Sequence, residues 1–168
     1  EIEELIKRKL IRTVQKRDET YYRIMPEVIE ALKKNKNYTA PTLKNLTIQE
    51  FFYVLADIFE QFFDDEMNDD MLKDEINELF IQNTHLEYVQ KVNNYKLTWQ
   101  SRMILIYFSN LHINEGDDSF GSREIDRLFS GQFNTRTIKI RLSNGDHELF
   151  FHKLLEFENN GGFADRDS

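Results

Sequence analysis

The sequence predicts a mainly α-helical chain with short β-hairpins, in which two winged-helix-like units are joined by a Phe-rich helical segment. Apolar residues recur at helical spacing along most of its 168 residues. Two short runs near the start are rich in β-branched and aromatic residues and flank a polar turn. A polar stretch containing Pro41 then separates these elements from the rest. We place the segments at residues 1–38, 39–96 and 97–168, and expect the first unit to be cut at its N-terminus.

Residues 1–38 show the order helix, basic hairpin, helix, which is the order of the second half of a winged-helix domain. A short helix ends near Lys9, residues 10–14 and 21–25 form the strands, and Pro26 opens the next helix. The wing would lie at residues 15–20. The apolar face of the second helix is formed by Val28, Ile29 and Leu32. For an isolated charged hairpin, we favour the alternative interpretation, a solvated β-turn that contacts no partner.

The central element is a helix over residues 46–63. Thr47 and Glu50 match a capping box, and Leu46 and Phe51 are placed as a hydrophobic staple. One wide apolar stripe follows at helical spacing: Phe51, Phe52, Leu55, Ile58, Phe59, Phe62 and Phe63. Since burying each of these side chains is worth roughly 1.5–3 kcal/mol, we expect this helix to organise the core.

A second amphipathic helix follows an acidic run. Its apolar positions are Met71, Leu72, Ile76, Leu79 and Phe80. Residues 82–96 lack sustained periodicity and predict an irregular link with one short helical turn. Thr98 can then cap a helix that is apolar on nearly all sides through Leu111, and Ser122 can cap a shorter one ending near Phe129.

The last part of the chain carries the strongest strand pattern. Ile138, Ile140 and Leu142 alternate with polar residues, which predicts a strand over residues 137–142. Asn144-Gly145 is typical of a two-residue hairpin turn, but Asp146 could instead cap a helix. We favour the helix, because apolar spacing persists to Phe157. Residues 163–168 would then open a strand or wing.

Charge is distributed unevenly along the chain. The net formal charge is −8, made up of +4 over residues 1–44, −11 over residues 45–90 and −1 over residues 91–168. Proteins that bind nucleic acid need a basic face to neutralise phosphates, and only the first third has a surplus of positive charge. The middle third would repel DNA.

Composition excludes several classes of protein. Zero cysteines exclude disulfides, thiol catalysis and cysteine-bound metals, and they fit a reducing cytoplasmic location. No apolar run approaches the roughly 18 residues of a membrane span, so no membrane contact is expected.

The acidic run contains an imperfect match to a calcium-binding loop. Oxygen-bearing side chains fall at loop positions 1, 3, 5, 7 and 12: Asp64, Glu66, Asn68, Asp70 and Glu75. Position 6 needs a glycine for its sharp turn, but this chain has Asp69 there. A solvated acidic loop explains the pattern better, so no metal is predicted.

Catalytic motifs are absent from the sequence. The four histidines, His85, His112, His147 and His152, include no HExxH pair. No glycine-rich phosphate-binding loop occurs, and no nucleophile is flanked by an oriented base. We therefore predict that this region is not an enzyme, with no catalytic residues and no cofactor, and leave the activity of a longer parent protein open.

Four segments together resemble regions that precede the ATPase core of some bacterial AAA+ ATPases. They are LxKxxLIxxxxxxxxxYYRIMPEVxEAL, LTIQEFFxxLxxIF, LTWQSRMILxxF and GDHELFFHKLLEFENNGGFADRDS. The resemblance covers most of the chain. It implies two winged-helix-like parts that recruit substrates or partners for a motor outside this region. Tandem winged-helix subunits of chromosome-organising complexes are similar in layout.

These observations predict a non-catalytic protein-interaction or substrate-recruiting region of a larger intracellular protein, with a protein partner or self-association. The alternative is a winged-helix DNA-binding regulator or chromosome-organising subunit. Its nucleic-acid contacts would come from two basic clusters: Lys7, Arg8, Lys9, Arg12, Lys16 and Arg17, with Arg136, Lys139 and Arg141.

Overall fold

The computed structural model of the protein describes residues 1–16, 19–129 and 135–157, with only the backbone at residues 15 and 16. The chain is mainly helical, and the described part contains one two-stranded antiparallel sheet. The predicted fold class, mainly α with a short β-hairpin, is thus confirmed. The chain divides into two compact units, Glu1–Thr84 and His85–Ser168. None of the described helices is long and apolar enough to cross a membrane.

The first unit begins with the predicted helix, hairpin and helix. The elements are α1 (Ile2–Lys7), β1 (Ile11–Lys16), β2 (Glu19–Ile24) and α2 (Pro26–Lys33). The wing was predicted at residues 15–20, but residues 15, 16, 19 and 20 belong to the strands. Only one member of the predicted apolar face of α2 is buried. Val28 is 9% exposed, whereas Ile29 and Leu32 are 41% and 72% exposed, because no described element packs over that side.

The core of the first unit is formed by α3 (Ile48–Phe63) and α4 (Asp69–Gln82). The predicted capping box is present, since Glu50 N–H donates to Thr47 Oγ1 and Thr47 N–H donates to a Glu50 carboxylate oxygen. The apolar stripe of α3 packs on α4. The rings of Phe51 and Phe80 meet edge to face, with their centroids 5.4 Å apart. The core side chains are Phe51, Phe52, Leu55, Ile58 and Phe59 with Leu72, Ile76, Leu79 and Phe80.

A buried amide connects the end of α4 to the segment before α3. Asn83 is fully buried. Its Nδ2 donates to the carbonyls of Leu43 and Leu79 at 2.7 and 2.8 Å, and its Oδ1 accepts from Leu46 N–H at 2.9 Å. A buried amide that makes three hydrogen bonds leaves little desolvation cost uncompensated. It therefore fixes where the incoming chain meets the helix pair.

The second unit is made of helices only in its described part. These are α5 (Glu87–Asn94), α6 (Trp99–Glu115), α7 (Ser122–Leu128), α8 (Thr135–Asn144) and α9 (Glu148–Phe151). As predicted, α6 begins after Thr98 and is largely buried. Gly121, rather than Ser122, is the N-cap of α7, because its N–H donates to the Glu124 carboxylate at 2.8 Å.

The predicted strand over residues 137–142 is wrong, since these residues lie in α8. Ile138 is 6% exposed and Ile140 is 50% exposed, although both would lie on one face of a strand. Ile138 and Leu142 are four residues apart and share one helical face. The alternating pattern therefore also contains a pair with helical spacing, Ile138 and Leu142. Both of these side chains are less exposed than Ile140, which points away from them.

Two other predictions in this unit need correction. Residues 82–96 were expected to be mostly irregular, yet they contain α5, on which Val89 and Val92 are buried. The helix expected from residue 146 to Phe157 is limited to α9. This helix ends at Phe151 with His152 as its C-cap, and Lys153 follows with a positive φ of 56°, which breaks the helical path. Residues 163–168 lie outside the described ranges.

Candidate functional site

The two faces of the hairpin are fixed by its register. Paired residues of an antiparallel ladder carry their side chains on the same side. Arg12 pairs with Arg23 and Val14 with Tyr21, so these four share one face. Val14 is 3% exposed, which shows that this face packs against the protein. The opposite, outer face carries Ile11, Thr13, Thr20, Tyr22 and Ile24.

The inner face is held by one carboxylate, Glu66, which lies between α3 and α4. Arg12 donates to Glu66 Oε2 and Arg23 donates to Glu66 Oε1, so both strands are bound to the same group. Glu66 is 8% exposed. Charge-assisted hydrogen bonds are among the stronger polar contacts, and losing them would leave a nearly buried carboxylate unpaired. Glu66 therefore anchors the hairpin to the helix pair.

The N-terminal elements expose many large apolar side chains. Eight with at least 36% exposure occur in residues 1–33, against seven in the much longer remainder of the described chain. We call these eight the N-terminal apolar set: Ile2, Leu5, Ile6, Tyr21, Tyr22, Ile24, Ile29 and Leu32. Isolated exposed apolar residues are normal in proteins. A concentration on three of the first four elements, α1, β2 and α2, instead indicates a surface that contacts another molecule.

The first predicted basic cluster is divided by the fold. Lys7 lies in the last turn of α1, Arg8 caps it, and Lys9 follows with a positive φ of 54°. Arg12 points to Glu66, so its charge is used within the protein. The side chain of Lys16, and Arg17 altogether, lie outside the described part.

The second predicted basic cluster lies on α8 in the second unit. Lys139 is bound to the Asp126 carboxylate at 2.7 Å. Arg141 donates to the carbonyl of Asp146 at 3.0 Å. Since α8 is a helix and not a strand, Lys139 and Arg141 project about 200° apart around its axis instead of sharing one face. Arg136 is exposed near the start of α8.

The candidate calcium loop is used for other contacts. Glu66 is bound by the two hairpin arginines. Asn68 is the N-cap of α4, its Oδ1 accepting from Met71 N–H at 2.9 Å, and Glu75 lies within α4. Among the described residues, no group of three or more acidic or histidine side chains could hold a metal ion.

The second unit contains an open groove of about 550 Å³ beside the start of α6. Glu148 reaches Thr98, accepting from its N–H at 3.1 Å and from its Oγ1 at 2.8 Å. Burial alone would raise the pKa of Glu148, but hydrogen bonds from Ser101 and Thr98 hold it below its ordinary value. The carboxylate is thus occupied in joining α9 to the N-terminus of α6, which gives it a structural role.

His147 lines the same groove and is 4% exposed. Its Nδ1 accepts from Leu149 N–H at 3.3 Å, so it caps α9. Burial lowers its pKa, and the nearby Arg141 guanidinium lowers it further. A neutral imidazole used as a helix cap is a structural feature.

Sequence patterns did not reveal Glu66 as the anchor of the hairpin. Its partners are 54 and 43 residues away along the chain. Local spacing cannot show such a contact, and Glu66 lies in an acidic run typical of solvated loops. The two arginines at paired positions of a predicted hairpin were the available signal, because their shared face needs a carboxylate if it is to be buried.

Comparison with models of protein families, with curated protein sequences and with solved structures found no match for this chain.

Proposed function

We propose that this chain is a non-catalytic protein-interaction region, and that its N-terminal apolar set contacts the partner. The observation that carries this proposal is the concentration of exposed apolar side chains on α1, β2 and α2. Burying a half-exposed Leu, Ile or Tyr in an interface contributes free energy in proportion to the apolar area removed from water. Several such residues would supply the core of an interface.

The anchored hairpin supports this proposal. Arg12 and Arg23 bind Glu66 on the inner face, which leaves Tyr22 and Ile24 held outward at about half exposure. Side chains fixed in a binding-competent position lose less entropy when a partner binds. Tyrosine is also enriched in interfaces, because it offers both apolar area and a hydroxyl group.

The proposed biological setting is recruitment of partners or substrates within a larger intracellular protein. The resemblance to regions that precede the core of bacterial AAA+ ATPases, with its winged-helix-like parts, supports a recruiting role. The zero cysteine content agrees with a reducing compartment. In this setting the chain would bring a protein to a motor located elsewhere.

The proposal is tested by reversing the polarity of one exposed position. Leu32→Lys places a charge in the N-terminal apolar set, whereas Ile81→Lys makes the same kind of change on α4. Both side chains are 72% exposed, so neither substitution should affect folding. The protein and its two variants would be used as bait in extracts of the producing cells, and bound proteins quantified by mass spectrometry.

We expect at least one protein to be retained by the unmodified chain and by Ile81→Lys, and lost at least about tenfold with Leu32→Lys, as for an interface residue worth about 1.4 kcal/mol. The circular dichroism melting curves of the three proteins should coincide. If both variants recovered all bound proteins equally, the proposal that the N-terminal apolar set contacts the partner would be contradicted.

A further inference from the structure

The outer edge of β2 presents a regular row of backbone hydrogen-bonding groups. Met25 N–H donates to the carbonyl of Leu10 at 3.0 Å, which places this pair at a hydrogen-bonded position of the ladder. Hydrogen-bonded and non-hydrogen-bonded pairs alternate in an antiparallel ladder. The N–H and C=O groups of Thr20, Tyr22 and Ile24 therefore point away from β1. In the described part of the chain, the sheet has no third strand to receive them.

The sequence of β2 is complementary to itself. If two copies of ETYYRI run antiparallel with Tyr21 opposite Tyr21, Glu19 of each copy lies opposite Arg23 of the other. Thr20 of each copy then lies opposite Tyr22 of the other, and these are the residues whose backbone groups point outward. This register places opposite charges and two aromatic rings directly across the strands, pairings that stabilise sheets.

We infer that two copies of this chain associate by antiparallel pairing of their β2 strands, forming a four-stranded sheet with a two-fold axis at Tyr21. This inference rests on the proposed function, because it names a second copy as one partner of the N-terminal elements. An unpaired strand edge is a template for pairing with another strand. All residues of β2 are exposed.

The charges of β2 favour a second copy over an unrelated strand. Arg23 binds Glu66 through one guanidinium nitrogen and its side chain remains 50% exposed. The guanidinium carries five N–H groups in all, so it can bind a second carboxylate. Glu19 is exposed on the same face. When two copies of β2 pair in this register, Glu19 of each copy lies opposite Arg23 of the other. No like charges then lie opposite each other.

Single-cysteine variants test this register directly, because the chain contains no other cysteine. Directly opposed residues of a non-hydrogen-bonded pair have Cα atoms about 4.5 Å apart, within the range of a disulfide. Tyr21→Cys should therefore form a covalent dimer under mild oxidation. Thr20→Cys is the matched control, since two copies of residue 20 would be diagonal neighbours roughly 7–8 Å apart.

We expect at least about fivefold more cross-linked dimer with Tyr21→Cys than with Thr20→Cys, given the narrow distance range of a disulfide. Equal cross-linking at residues 20, 21 and 22 would overturn the inference, as would preferential cross-linking of Tyr22→Cys, which indicates a different register.

A second experiment removes one backbone donor from the free edge. Tyr22→Pro eliminates the outward N–H but leaves the bonds to β1, because residue 22 belongs to a non-hydrogen-bonded pair of the hairpin. Tyr22→Thr is the control that keeps the donor. Sedimentation velocity over a concentration series should show a monomer–dimer equilibrium for the unmodified chain and Tyr22→Thr, and a monomer for Tyr22→Pro.

The two proposals fail in different ways. A chain that stays monomeric at the highest concentration, while Leu32→Lys still releases a bound protein, contradicts self-association and keeps the proposed function. Conversely, if the chain forms a β2-paired dimer but retains no other protein, self-association is supported and binding of a different protein is contradicted. Unfolding of Tyr22→Pro, seen by circular dichroism, would leave the cysteine experiment to decide.

Discussion

A single carboxylate, Glu66, joins the two strands of the hairpin to the helical core of the first unit. Glu66→Gln removes its charge and weakens the hydrogen bonds from Arg12 and Arg23. We expect a loss of about 1–3 kcal/mol in the free energy of unfolding, less than for a fully buried ion pair because Arg23 is half exposed. Urea unfolding followed by circular dichroism measures this change.

Glu60→Gln supplies the control for this prediction. It makes the same chemical change at an exposed position of α3 and should alter the free energy of unfolding by less than about 0.5 kcal/mol. If the two variants were equally stable, the contact between Glu66 and the two arginines would not contribute to folding.

The buried imidazole of His147 should make the second unit sensitive to acid. Burial and Arg141 lower its pKa in the folded state. Between that lowered value and the unfolded value of about 6.5, the unfolded state binds more protons. The contribution of neutral His147 to the free energy of unfolding is therefore fully present above about pH 6.5, and it is lost as the pH falls below that value.

His147→Asn tests this pH dependence. Asparagine can still cap α9 through its side-chain oxygen but does not titrate. We expect the variant to lose less melting temperature than the unmodified chain between pH 7 and pH 5, as measured by differential scanning calorimetry. Equal losses of melting temperature in the two proteins would show that His147 does not cause the pH dependence.

At the scale of elements, α8 offers a direct test of helix against strand. Ile138→Ala should destabilise the second unit by about 2–4 kcal/mol, because it removes a buried side chain from the core. Ile140→Ala should change stability by less than about 0.5 kcal/mol, since that side chain is half exposed. Thermal unfolding measures both. Similar losses from both substitutions would indicate the strand geometry instead.

Elements with local signals could be predicted from the sequence. Thr47 and Glu50 mark the start of α3, and its apolar stripe marks the buried face, because capping and periodicity depend only on nearby residues. The hairpin was predicted for the same reason. In contrast, α8 was mistaken for a strand because Ile138, Ile140 and Leu142 alternate as in a strand, while Ile138 and Leu142 alone also have the i, i+4 spacing of a helix. Only packing with distant residues distinguishes the two geometries.

The candidate site was less predictable than the fold. Sequence patterns identified Arg12 as a basic residue of the hairpin, and gave it a role, contact with nucleic acid, only in the alternative DNA-binding interpretation. In the structure Glu66 binds it, a contact across 54 residues that no local spacing encodes. The exposure of Ile29 and Leu32 could not be predicted either. Together with Val28 they form an ordinary amphipathic pattern, which predicts that all three are buried.

For the whole molecule, the charge distribution disfavours binding to DNA. Arg12, Arg23 and Lys139 are engaged with carboxylates, and residues 45–90 carry a net charge of −11. We expect no saturable binding of mixed-sequence duplex DNA at about 10 μM protein and about 50 mM salt, conditions that favour nonspecific binding. Fluorescence anisotropy measures this.

The same titration at higher salt would identify the opposite case. Binding that weakens steeply with salt, and is abolished by Lys16→Glu with Arg17→Glu, would establish the hairpin as a nucleic-acid contact.

The shared carboxylate at residue 66 also constrains how this protein can diverge. Replacing Glu66 alone leaves two arginines facing each other, and replacing either arginine alone leaves the carboxylate with half of its contacts. Positions 12, 23 and 66 should therefore change together in chains descended from a common ancestor. Lineages that have lost the acid should carry apolar or uncharged residues at both strand positions, which an alignment of such chains would reveal.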